Sequence, residues 1–196
     1  MKKIIGFDKE FDLILNQLID NKLSNSLLLT GNKGIGKKYF FSQLIDEYIK
    51  KNISSEQAHQ HLTLLKNNTH PNIKIIEKEI DEKTKNLKNF IIIDQIRKIN
   101  QFSLETSLIE NIPKFIIIDS ADDMNINASN ALLKILEEPR SNTYFLLISH
   151  QPSLLLPTIK SRCLKINLSN HNYDNFTSII KISNPDIDKK KKKFLY

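Results

Sequence analysis

A parallel α/β sheet of five strands, flanked by helices, is the fold that this 196-residue sequence predicts, on three observations. Short, nearly unbroken apolar runs alternate with longer stretches whose apolar residues recur every three or four positions, the pattern of buried strands joined by helices. One run, 26–30, passes directly into the glycine-rich turn Gly31-Asn-Lys-Gly-Ile-Gly-Lys-Lys38 and then into a helical pattern. Gly31, Asp119 and Ser149 each fall at a predicted strand end, the edge where such sheets bind ligands.

The elements follow in order. Asp8 stands where it can cap a first helix, in which Phe11, Ile14, Leu15, Leu18 and Ile19 share one face. Residues 26–30 make the first strand, its apolar run matching a strand covered on both faces. The helix after the glycine turn carries a stripe of Phe40, Phe41, Leu44, Ile45, Tyr48 and Ile49. Residues 52–70 are polar and histidine-bearing, helical in part, and 73–76 form the second strand. A charged insertion over 77–89 reads as a surface excursion. Asp94 can cap a helix running to about Ser107 with Ile96, Ile99 and Leu104. The third strand is 115–118. The helix at 127–138 is stopped by Pro139, whose ring cannot continue it. Residues 144–148 and 164–168 supply the fourth and fifth strands, and 173–182 predict one more helix. Beyond Asp186 the chain carries five consecutive lysines, 189–193, and reads as a solvated, disordered tail.

Composition excludes several classes. With 40% apolar and 26% charged residues the chain can bury a core. A single cysteine, Cys163, permits no internal disulfide and suits a reducing, cytoplasmic setting. No apolar run approaches a membrane span, and the first residues lack a signal-peptide core. The formal charge of +7 permits nonspecific attraction to nucleic acid but says nothing of fold. Arginine occurs only at positions 97, 140 and 162, whereas lysine is abundant. A DNA-binding protein relying on those lysines is one competing reading, weakened by the lack of a compact basic recognition helix.

The glycine turn is close to a phosphate-binding loop. Such a loop needs glycines so that backbone N–H groups converge on phosphate, a lysine for the terminal phosphates, and a Ser or Thr hydroxyl for Mg²⁺. Gly31, Gly34, Gly36 and Lys37 meet the first two needs. Lys38 stands in the hydroxyl position, and an ammonium has no lone pair to give a metal. Asp119 ends a strand where a phosphate-loop ATPase keeps its magnesium-associated aspartate. The next residue, Ser120, cannot replace a water-polarising glutamate at neutral pH. Asp122 and Asp123 are expected to favour the start of the following helix through its dipole.

Taken with Asn130-Ala-Leu-Leu-Lys134, Leu136-Glu-Glu-Pro139, Leu156-Pro-Thr-Ile159 and Ser161-Arg162-Cys163, these residues resemble the AAA+ domain of bacterial clamp-loader subunits over residues 5–170. The resemblance implies a P-loop AAA+ domain at 1–170, with 171–196 holding the start of a helical lid and the lysine-rich tail. The degenerate loop beside an intact Ser-Arg-Cys is similar to the non-catalytic subunits of the group. It implies a part in sliding-clamp loading in DNA replication, with no cofactor of its own. Arg162 would reach in trans into the ATP site of a neighbouring subunit; without its flanking residues it would read as an ordinary surface ion pair. The implied partners are tau/gamma ATPase subunits and a delta subunit, with the sliding clamp and primer–template DNA met through the complex, and no membrane. Ser149 matches the place of a phosphate-sensing polar group, and Cys163 reads as a small packed residue. The alternative is an active ATP-binding subunit of the tau/gamma type that tolerates Lys38.

Two departures from the family pattern stand out. Where many members carry a four-cysteine zinc module, residues 52–72 hold His59, His61 and His70 and no cysteine. A closed zinc site wants four good ligands, so no metal and solvent-exposed histidines are expected. Relatives also continue through a lid into a collar domain, so a truncated or minimal subunit is the expectation for this chain.

Overall fold

The computed structural model describes residues 4–105, 107, 109 and 111–183. Its strands are β1 (Ser26–Thr30), β2 (Ile73–Ile76), β3 (Lys114–Ile118), β4 (Thr143–Ser149) and β5 (Leu164–Asn167). All pair in parallel, in the order β2-β3-β4-β1-β5. The helices are α1 (Asp8–Ile19), α2 (Lys37–Asn52), α3 (Ser55–Lys66), α4 (Ile93–Leu104), α5 (Ile126–Glu137), α6 (Pro157–Arg162) and α7 (Tyr173–Ser183), with a 3₁₀ turn at Ala121–Asp123. The fold is the five-stranded parallel sheet flanked by helices that the sequence predicts. The tail from Asp186 onward, with its lysines, lies outside the described residues.

The period of two along each strand sorts the core into two layers. Leu27, Leu29, Phe115, Ile117, Leu146 and Ile148 join the layer packed by α1, α2 and α3, where Phe11, Leu18, Phe40, Phe41, Leu44, Ile45 and Ile49 are buried. Leu28, Ile116, Ile118, Phe145 and Leu147 face the other way, onto Ile96, Ile99, Leu132, Leu136 and Ile159 from α4, α5 and α6. A strand buried on both faces has no polar alternation to show. Its unbroken Leu-Leu-Leu or Ile-Ile-Ile run follows from that, each side chain contributing about 1.5–3 kcal/mol on burial. The edge strand β5 is mostly exposed and carries the mixed sequence Leu-Lys-Ile-Asn.

Local chemistry corrects several expectations. Asp8 is not a cap: Phe7 occupies the N-cap of α1, and Asp8 and Glu10 lie in the first turn, where the dipole favours acids. Asp94 likewise sits inside α4, paired with Arg97 at 3.0 Å. Ile92 is the N-cap there, and the Gln95 side chain reaches back to accept its N–H at 3.1 Å. The helix closes at Leu104 rather than near Ser107, and the buried Lys114 ammonium donates to the Phe102 and Glu105 carbonyls at its end. Asn125 caps α5 by accepting the Ala128 N–H at 2.9 Å. Asp122 and Asp123 belong to the 3₁₀ turn, and Asp123 pairs with Lys78 at 2.9 Å, so neither serves the start of α5. The short helix α6 is an element that periodicity could not register at six residues.

The charged insertion folds back on itself. Ile80 and Leu87 bridge antiparallel, and Asp81 Oδ1 accepts the Lys83 and Thr84 N–H groups at 3.0 and 2.8 Å to hold the turn.

The histidines depart from expectation. His59 is exposed, but His70 is buried and His61 half-buried, with ring centroids 5.3 Å apart. His70 Nδ1 accepts the Asn72 N–H at 3.2 Å, which requires a neutral ring. Among the described residues, no three His, Cys, Asp or Glu side chains converge as metal ligands. Burial, and then the charge of His61, hold the His70 pKa at about 4, below its ordinary 6.5. As pH drops the unfolded chain takes the proton first, so stability that is whole above pH 6.5 drains away toward pH 4. Urea midpoints should therefore fall between about pH 7 and pH 5, and fall less in His70→Leu; equal slopes would show that His70 carries none of the effect.

Candidate functional site

The carboxyl-terminal edge of the sheet gathers Gly31, Gly34, Gly36, Lys37, Asp119 and Ser149. Thr30 and Ser149 are direct partners across β1 and β4, and Ile118 is opposite Leu147, so the residues after β1, β3 and β4 share one rim. The loop between β1 and α2 takes backbone turns that only glycine makes cheaply. Gly36 opens α2 at φ 99°, and Gly31 holds φ 144°. A Cβ on Gly31 would lie 2.5 Å from the Leu168 carbonyl oxygen, so the chain beyond β5 is laid directly against the loop. Asn32 donates to Asn170 Oδ1 at 3.0 Å across the same contact, and His171 Nε2 lies 3.3 Å from the Ile35 carbonyl.

Lys37 and Lys38, the last two residues of the motif, are both turned onto the protein. Lys37 Nζ donates to the Gly31 and Asn32 carbonyls at 2.6 and 2.7 Å. Its pKa is lowered because burial outweighs the attraction of Asp122 and Asp119. Lys38 Nζ lies 2.6 Å from Glu77 Oε2 and 3.2 Å from Asp119 Oδ2. Burial works against its charge, yet the bonds to Glu77 and Asp119 prevail and raise its pKa.

Ser120 follows Asp119 in a left-handed conformation, φ 62° and ψ 59°. Its Oγ is 3.0 Å from His150 Nε2. Burial, and next the positive charge of Lys37, lower the His150 pKa, so the imidazole stays neutral beside the serine. Asp122 accepts the N–H groups of His150 and Gln151 at 3.0 and 3.2 Å, tying the 3₁₀ turn to the end of β4. Ser149 is fully buried, and its Oγ has no hydrogen-bond partner among the described residues. Lys37 thus contacts its own loop, Lys38 the Asp119 carboxylate, and Ser120 follows that aspartate beside His150.

Sequence reasoning missed two members of this rim. Glu77 follows β2, and only the strand order places that end beside Asp119. His150 directly follows Ser149, so its position was visible, but not its pairing with Ser120.

Arg162 is brought to neither this rim nor the loop. It ends α6 just before β5, and because β5 runs parallel to β1 with Leu164 opposite Leu27, it lies at the amino-terminal edge of the sheet. The side chain is exposed, donating to the Thr158 carbonyl at 3.0 Å and pairing with Glu137 at 2.6 Å. Ser161 Oγ also donates to Thr158, at 3.0 Å. Cys163 packs inside, where burial pushes its thiol up to about 11 and leaves it unreactive.

Residues 7–172 match the protein family described as DNA polymerase III, delta subunit. The chain belongs to this family. It is delta-prime-like: the DNA polymerase III subunit delta' of Pseudomonas aeruginosa is 39% identical over 145 residues, covering 72% of this chain and 42% of that protein. The subunit delta' of Bacillus subtilis is 31% identical over 153 residues, covering 77% of this chain and 44% of the relative. The chain thus spans less than half the length of either of these relatives. Among solved structures, a DNA polymerase III gamma subunit-related protein from Thermotoga maritima superposes with a TM-score of 0.60 at 24% identity, over 86% of this chain and 49% of that one. The Thermotoga maritima RuvB Holliday junction branch migration motor gives 0.55 at 18% identity, over 94% and 53%. At these identities the likeness is one of fold. No described helix is long and apolar enough to cross a membrane.

For this delta-prime-like domain the close approach at Gly31 makes a test of the loop. Gly31→Ala should destabilise the protein by about 1–3 kcal/mol, because the methyl meets a backbone oxygen at a strained φ. A urea midpoint unchanged from wild type would show that the segment after β5 yields freely.

Proposed function

We propose that this chain is a non-catalytic clamp-loader subunit that supports sliding-clamp loading in DNA replication and gives Arg162 in trans to a neighbouring ATPase subunit. The observation that carries this reading is the separation of the two sites. The phosphate loop lies on the carboxyl-terminal rim, whereas Arg162 is exposed at the opposite edge beside β5. An arginine there has no path to its own loop and is open to another chain. Its guanidinium stays charged and can fork onto phosphate oxygens, and its bonds to the Thr158 carbonyl and to Glu137 at the end of α5 hold it until a stronger anion competes.

The inert state of the chain's own loop is the second half of the reading. Lys38 puts an ammonium where a metal-binding hydroxyl would stand, Ser120 puts a hydroxyl where a water-polarising carboxylate would stand, and family membership supports a place in a clamp loader. Its partners in this reading are the tau/gamma ATPase subunits and a delta subunit, with the clamp and primer–template DNA engaged through the complex. Residues 1–170 form the AAA+ domain, and α7 begins the lid. The competing reading, an ATP-binding subunit of the tau/gamma type, has the loop glycines in its favour. Mg²⁺-dependent micromolar ATP binding by the isolated chain would select it.

Arg162→Ala in a reconstituted loader should slow hydrolysis at the facing ATP site by ~10³-fold or more, with Arg162→Lys recovering little, since lysine does not make the fork. Single-turnover hydrolysis stimulated by DNA measures this, and rates equal to wild type would remove the role in trans.

A further inference from the structure

The fold brings a magnesium-associated aspartate to the rim, but the residues present do not fit that metal. A divalent cation of this kind takes oxygen ligands around it, and the residue that should offer a hydroxyl is Lys38. Lys38 has not simply left the site. Its ammonium bridges Asp119 at the end of β3 and Glu77 just past β2, at 3.2 and 2.6 Å. It therefore joins three elements, the first turn of α2 and the ends of two neighbouring strands, as a cation between two carboxylates. Glu77 belongs to no phosphate-loop motif, yet it approaches the same nitrogen more closely than Asp119 does. Of the other charges on this rim, Lys37 is folded onto its own loop, Asp122 accepts the backbone of residues 150 and 151, and Lys78 pairs with Asp123 at 2.9 Å.

We propose that Lys38 is an internal substitute for a divalent cation, neutralising Asp119 and Glu77 together and keeping the rim assembled without metal. The idea rests on the chain's own loop being inert but is independent of Arg162, whose failure as a finger would leave it untouched. The substitution is chemically sound. Three N–H donors on a flexible stem satisfy two carboxylates from different strands, and the ammonium's charge excludes a metal from the space it fills. A divalent cation would have to displace Lys38 from both carboxylates at once.

The test uses the full chain with manganese as the probe. Wild type, Lys38→Ser, Lys38→Arg and the double variant Lys38→Ser with Asp119→Asn are titrated with Mn²⁺ by electron paramagnetic resonance, and melted in EDTA and in Mg²⁺. Wild type and Lys38→Arg should take up no Mn²⁺ at this site and melt at the same temperature with or without Mg²⁺. Lys38→Ser should bind one Mn²⁺ on the order of a hundredfold tighter than wild type, since a positive charge is gone and two carboxylates are freed. It should melt lower in EDTA and recover in Mg²⁺, and the double variant should lose both gains. Stoichiometric Mn²⁺ uptake by wild type overturns the proposal. So does a folded Lys38→Ser that ignores both metals, or one unfolded with and without Mg²⁺ while Lys38→Arg folds.

Discussion

Parallel pairing of β1 between β4 and β5 is the constraint on which the rest of this structure depends. It puts the carboxyl ends of the strands on one rim, so the loop after β1, the aspartate after β3 and the polar end of β4 meet without any side chain having to attract another. The same pairing sends Arg162, which precedes β5, to the opposite edge. One geometric rule thus separates two sets of polar residues that lie within one domain. Breaking the register would scramble both, because a one-residue slip reverses which face each strand residue occupies.

On the rim, electrostatics has been resolved inward. Here the Lys37 ammonium is satisfied by the Gly31 and Asn32 carbonyls, and Lys38 by Asp119 and Glu77. Ser120 and His150 close a neutral pair beside them. The segment after β5 lies on the loop through Leu168, Asn170 and His171. The exposed ion pairs among these contacts are each worth little, about 0–1 kcal/mol. Their effect is to define the electrostatic state of the rim rather than to hold the domain together. The core does that, through two apolar layers filled by strand residues of alternating direction.

Much of the candidate site was legible before any coordinates, because its members lie at ends of apolar runs and the glycine turn announces itself. Lys38 and Ser120 were readable as departures from a working pattern from residue type alone. What was hidden depended on which strands become neighbours. Glu77 belongs to a charged stretch that looks like solvent-facing insertion, and only the β2–β3 pairing brings its start to Lys38. Asp122 read as a helix-dipole residue, yet its carboxylate caps the backbone after β4. His70 read as exposed, because a histidine in a polar stretch gives no sign that its ring will pack against His61 under the sheet edge.

The sequence by itself determined the class of fold, the order of the strands and the longer helices, the two apolar stripes and the family, because periodicity and strand-end residues are local properties of the chain. It also determined that the loop lacks a metal-binding hydroxyl, since a residue's donor atoms do not change on folding. The tertiary structure decided the rest: that Lys38 meets two carboxylates, that Lys37 turns back, and that Arg162 faces away from its own loop. Those facts turn on distances between segments dozens of residues apart, which strand order and direction set and no local pattern encodes.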